Sequence, residues 1–85
     1  MEVEFDPAKD AANLDKRAIS LAAAAGFKTE TIVADERNGY GEPRLNAFGR
    51  IDGVIYCLTY TIRHGRMRAI SLRRARAKEY RRHVV

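Results

Sequence analysis

Two dipeptides, Asp52-Gly53 and His64-Gly65, separate three runs of strand-forming residues. A two-residue connection ending in Gly supplies the left-handed backbone that a tight β-hairpin turn requires, so the spacing predicts two consecutive hairpins. The first run, Arg44–Ile51, alternates Leu45, Ala47, Gly49 and Ile51 with Arg44, Asn46, Phe48 and Arg50. Period two gives that strand one apolar and one polar face. The second, 54–62, is apolar at nearly every position, as a strand flanked on both sides would be. The third covers 66–73. Such a sheet must bury its apolar face, and in a chain of 85 residues the cover has to come from the segments before it.

Those segments read as helices. Val3-Glu4-Phe5 is a short strand, and Asp6-Pro7 marks a helix start, because Asp can cap free N–H groups and Pro at the first helical position loses nothing. The helix is expected from Pro7 to Arg17, with Ala8, Ala11, Ala12 and Asp15 beside Leu14 on a thin buried stripe. Ser20 caps a second short helix over 21–25, which Gly26 stops in the left-handed position. Residues 29–34 are β-branched and strand-like, and 35–43 form a loop in which Gly39-Tyr40-Gly41 is weak evidence for phosphate binding. A last helix begins near Arg74 or Ala75. The expected fold is α+β: a small, largely antiparallel sheet in the order β-α-α-β-β-β-β-α, two N-terminal helices on one face and a C-terminal helix, all one domain over residues 1–85. Arg44, Asn46, Phe48 and Arg50 then form an open, basic, partly aromatic face on the other side.

Charge is distributed unevenly. Residues 1–61 hold seven Lys/Arg and ten Asp/Glu, whereas 62–85 hold nine Lys/Arg and one acid, Glu79. Eight of those nine cations are Arg, Lys78 being the exception. A block of this kind concentrates anions near it, and nucleic acid is its commonest partner, with an acidic protein or anionic membrane as competitors. Other classes find no support. Cys57 is the single cysteine, so no internal disulfide forms, and with His64 and His83 far apart there is no metal-ligand spacing. There is no Walker loop, dinucleotide fingerprint or serine elbow, and no cofactor is implied. An acidic N-terminus and the absence of a long apolar run point to the cytoplasm and away from a membrane.

Metal-free RNA cleavage suits this inventory, because the substrate's own 2′-hydroxyl is the nucleophile and the protein need only orient the strand, assist proton transfer and set cations against charge building on the phosphate. Arginine suits the last of these roles, since its planar fork binds two phosphate oxygens and keeps its charge. Arg63, Arg73 and Arg74 are expected to neutralise the scissile phosphate, with Arg73, Arg74 and Arg76 placed from the end of the last strand into the first turn of the last helix. Cations there oppose the helix dipole, a local conflict that a bound phosphate would relieve. Glu79, with a lowered pKa, is expected to fix these guanidinium groups or to act as a weak base; in the structural alternative it pairs with Arg76 and with Arg82 or His83 and knits the helix. Lys16, Arg44, Arg50, Arg68, Arg76 and Tyr80 are candidate RNA contacts. Tyr60 belongs in the core, and His64 and His83 read as exposed, although either could protonate a leaving oxygen.

Four segments, "FDPAKDAANLDKR" (5–17), "AFGR" (47–50), "YTIRHG" (60–65) and "RAISLRRARAKEYRR" (68–82), taken together in this order and spacing, resemble the BrnT family of type II toxins. The resemblance implies a RelE-like ribonuclease fold, RNA cleavage that halts translation, and neutralisation by a BrnA-like antitoxin, as a homodimer or a toxin–antitoxin heterotetramer. It maps the family's final-strand pattern onto Ile70, Ser71, Arg73, Ala75 and Glu79, its Arg after Tyr-Thr onto Arg63, and its early Asn and Lys onto Asn13 and Lys16. The chain departs from the family at Arg17-Ala18, where the family usually has His-Gly. A basic nucleic-acid-binding module that cleaves nothing, or an inactive toxin relative kept for pairing with an acidic partner, are the competing readings.

Overall fold

A computed structural model describes residues 2–35 and 42–84; the Gly39-Tyr40-Gly41 stretch lies outside the described residues. The order is β1 (Glu4–Phe5), α1 (Pro7–Arg17), a 3-10 helix (Leu21–Gly26), β2 (Lys28–Asp35), β3 (Arg44–Ile51), β4 (Val54–Arg63), β5 (Arg66–Arg74) and α2 (Ala77–His83). The five strands form one sheet in the order β1-β5-β4-β3-β2, antiparallel except for the parallel pair β1 and β5. The expected α+β fold is present. Both hairpin turns have positive φ at their two central positions, 49° at Asp52 and 80° at Gly53, 54° at His64 and 74° at Gly65, as a turn matched to strand twist requires.

The core lies between the sheet and the N-terminal segments. Leu58, Tyr60, Ala47, Ala69 and Leu72 from β3, β4 and β5 meet Leu21, Ala24 and Phe27. The last three are spaced by three, and a helix of three residues per turn sets them on one line; this is why the segment winds as a 3-10 helix. Gly26 accordingly has no left-handed φ, contrary to the sequence expectation, because the chain runs through an extended Phe27 straight into β2. The left-handed residue is Ala18, φ 60°, which ends α1 with its N–H donated to the Leu14 carbonyl. Tyr60 is in the core as expected, and burial pushes its phenol pKa up. Gly49 admits no side chain: a Cβ there would lie 2.0 Å from the Lys28 carbonyl oxygen.

α1 docks in a way the hydrophobic pattern did not show. Leu14 is 47% exposed, and the buried residue of the helix is Asn13. Its side-chain amide accepts from the Leu72 N–H at 3.0 Å and donates to the Leu72 carbonyl at 2.9 Å. It also donates to the Ile19 carbonyl at 2.9 Å. β1 pairs with β5 only at Arg68 and Ala69, so the Asn13 amide serves Leu72 as a neighbouring strand would. Asp10 acts in a similar way, accepting from Ser20 Oγ and the Leu21 N–H and so fixing the start of the 3-10 helix.

The opposite face is not open as the sequence suggested. α2 lies over part of it, and Phe48 is buried and stacked on His83, ring centroids 5.1 Å apart. Nor does α2 start at Arg74 or Ala75. Arg74 still pairs with Tyr56 and the Ala75 N–H with the Ile55 carbonyl, so the strand runs on and Arg76 becomes the residue that precedes the helix. Arg73 and Arg74 are therefore strand residues, and the helix-dipole argument does not apply to them.

Candidate active site

Where β5 gives way to α2, an open concavity of about 560 Å³ is lined by Arg17, Arg73, Arg74, Arg76, Lys78, Glu79, Arg82 and His83. Six cationic side chains thus face one carboxylate. Three elements supply them: the end of α1, the end of β5, and α2 with the residues before it. Arg73 points here because the period of β5 sets it opposite Cys57 on the α2 side of the sheet, while Leu72 turns inward to the core.

Glu79 organises the cluster. It accepts two parallel bonds from Arg73, Nη1 to Oε1 at 2.9 Å and Nη2 to Oε2 at 2.8 Å, the forked geometry that fixes a guanidinium plane. The Arg73 bonds hold the Glu79 carboxyl below the usual carboxylate range, with the backbone N–H and charge of Arg76 adding to the effect and burial opposing it. Glu79 is the third residue of α2 and reaches back to the residue before the helix, one half of a capping box. Its chief partner is Arg73, six residues back, one of the guanidinium groups it was expected to fix, rather than the Arg82 or His83 of the helix-knitting alternative. The cations are unequal. Arg17, Arg74, Lys78 and Arg82 have no ion pair among the described residues.

Other expected residues lie elsewhere. Arg63 ends β4, six residues beyond the Cys57 that faces Arg73, or about 20 Å along the strand, and pairs with Glu42 at 2.7 Å. Arg68 pairs with Glu4 at the β1 end of the sheet, and Arg44 opens β3 opposite Asp35. Arg50 and Tyr80 meet on the face that α2 covers. The Tyr80 hydroxyl donates to Glu30 and accepts from Arg50 Nη2 at 3.3 Å, while Arg50 Nε donates to Glu30 at 3.0 Å. The Tyr80 hydroxyl is the leading cause, and Arg50 the next favourable one, that lower the Glu30 pKa. Tyr80 thus ties α2 to β2 and β3. Lys16 lies outside the concavity, on a neighbouring cleft. Four lining residues, Arg17, Lys78, Arg82 and His83, were not among the expected site residues. Arg17 stands where the family usually has His, and His83 is half-buried on Phe48 rather than exposed; the paired aromatic rings three elements apart leave no local sequence signal.

The fold and this concavity define a small α+β domain with a strongly cationic cavity between its last strand and last helix. The family model for the BrnT ribonuclease toxin of type II toxin–antitoxin systems matches residues 5–79, and the chain belongs to that family. Membership brings an RNA substrate and an antitoxin protein as partners. No curated protein matched the chain. Among the described residues no helix is long and apolar enough to cross a membrane.

Proposed function

We propose that the concavity between β5 and α2 is the catalytic centre of a metal-independent endoribonuclease that cleaves single-stranded RNA and thereby stops translation. What supports this most is the set of four cations, Arg17, Arg74, Lys78 and Arg82, that face one cavity without an ion pair among the described residues. Repulsion among them is unfavourable in the empty protein and is relieved by a phosphate dianion-like transition state. Arg73, locked in plane by Glu79, and Arg74 beside it bind the non-bridging oxygens of the scissile phosphate. The substrate's 2′-hydroxyl attacks phosphorus and passes its proton to solvent water, the bond to the 5′-oxygen breaks, and His83 gives a proton to that oxygen. Glu79 has both oxygens bonded to Arg73 and a lowered proton affinity, so its part is to position Arg73. Arg63 stands too far along β4 to touch the same phosphate.

The setting is cytoplasmic, where messenger RNA is met, and a BrnA-like antitoxin covering the concavity neutralises it, in a heterotetramer. Light scattering of the co-expressed pair tests that stoichiometry. The chemical test is direct. Purified protein with single-stranded RNA and a chelator should yield 2′,3′-cyclic phosphate and 5′-hydroxyl ends, and cleavage no greater than that of the Arg73→Ala, Arg74→Ala double variant would overturn the proposal.

A further inference from the structure

A second cleft, of about 290 Å³, runs between α1 and the edge of β5 beside Ile70 and Ser71, and it shares Arg17 with the first concavity. Its charged lining is Lys9, Lys16 and Arg17, with no acid. The arrangement follows from helix geometry. Lys9 and Lys16 lie four residues before and three after Asn13, so all three share one stripe of α1. Asn13 is bound to Leu72 on β5, which holds both lysines along the strand edge, about 10 Å apart along the helix axis. Of the two acids within the helix, Asp10 is occupied with Ser20 and Leu21, and Asp15, beside Lys16 in sequence, does not line the cleft. Lys9 and Lys16 are exposed and have no ion pair among the described residues. A stripe that faces a strand is normally apolar; here it is cationic on either side of one buried amide.

We infer that this cleft is an extended RNA-backbone subsite, in which Lys9 and Lys16 hold phosphates of the nucleotides that adjoin the reacting one, the strand crossing from the β5–α2 concavity to α1 over Arg17. The inference rests on the ribonuclease reading for the identity of the first concavity. It adds that the protein grips several nucleotides and that its affinity depends on substrate length.

The test uses the whole protein, the Lys9→Ala, Lys16→Ala variant and the charge-retaining Lys9→Arg, Lys16→Arg variant, each checked for its fold by circular dichroism. Fluorescence anisotropy measures binding of a labelled oligodeoxynucleotide of about twelve residues, which lacks the 2′-hydroxyl and stays intact. In the alanine variant affinity should fall about tenfold and the log–log salt slope by about 1 to 2, as expected for two lost phosphate contacts at roughly 0.7 each. The loss should be much smaller for a dinucleotide, and the arginine variant should bind as the wild type does. Equal affinity and equal slope in the wild type and the alanine variant would overturn the inference, even if an acidic antitoxin were found to need the lysines. Its failure is separable from that of the ribonuclease reading. Wild-type protein that cleaves RNA but binds without the lysines removes only the cleft, and lysine-dependent binding without cleavage removes only the catalysis.

Discussion

Asn13 shows how much one polar side chain can decide in a domain this small. Replacing it with Ala leaves the Leu72 N–H and carbonyl without the partner that β1 is too short to supply, and unpaired buried backbone groups cost about 1–3 kcal/mol each. Asn13→Ala should therefore lower stability by about 2–4 kcal/mol in urea unfolding, far more than the loss of an exposed helix residue such as Leu14. Ala18 has the opposite effect. At φ 60° its Cβ crowds the next carbonyl, a strain of about 1 kcal/mol that Gly does not feel. Ala18→Gly should raise stability by up to about 1 kcal/mol, seen as an increase of a few degrees in Tm. This also gives a physical reason for the Gly that the family usually has at this place.

At the scale of the element, α2 is held differently from α1. None of its residues is fully buried, and it is tied to the sheet by the Arg73–Glu79 fork, the Glu30–Tyr80–Arg50 cluster and the Phe48–His83 stack. Two of these ties need an ionised carboxylate. Both Glu79 and Glu30 have pKa values lowered from 4.5 in the folded protein, so in mild acid the unfolded chain binds more protons than the native one and stability falls with pH. The contribution is complete above about pH 5 and is lost as the pH drops below about 4.5 and through the folded values. Acid titration followed by near-ultraviolet circular dichroism should show the aromatic signal of this face decaying in that window. Glu79→Gln should weaken the dependence, and an unchanged curve in that variant would show that the fork does not hold α2.

For the whole molecule the expected consequence is a division between stability and activity. Arg74→Ala removes a cation from the end of β5 and should leave stability within about 0.5 kcal/mol while lowering RNA cleavage by at least about tenfold. His83→Ala should lower the cleavage rate by about 10²–10⁴, the usual range for a lost proton donor. Single-turnover kinetics on one RNA would check both, and a His83→Ala protein as active as the wild type would remove His83 from the reaction. Tight binding should be steeply salt-dependent, because nearly all of the attraction comes from guanidinium and ammonium groups on one side of the fold.

Local chemistry wrote much of this protein into its sequence. The Gly-containing dipeptides set the hairpins, the Asp-Pro pair set the start of α1, and the period of Arg44–Ile51 assigned Phe48 and Arg50 to the face away from the core, all through rules that act within a few residues. The crowding of Arg into the last quarter likewise marked where positive charge would gather. Tertiary structure decided what distance along the chain conceals. Asn13 reaches Leu72 across fifty-nine positions, Arg17 joins Arg74 at one cavity, and Arg63 is carried away from both by the length of an extended strand. Where α1 and α2 settle against the sheet depends on hydrogen bonds and charge pairs between remote residues, and such contacts have no period for a sequence to display.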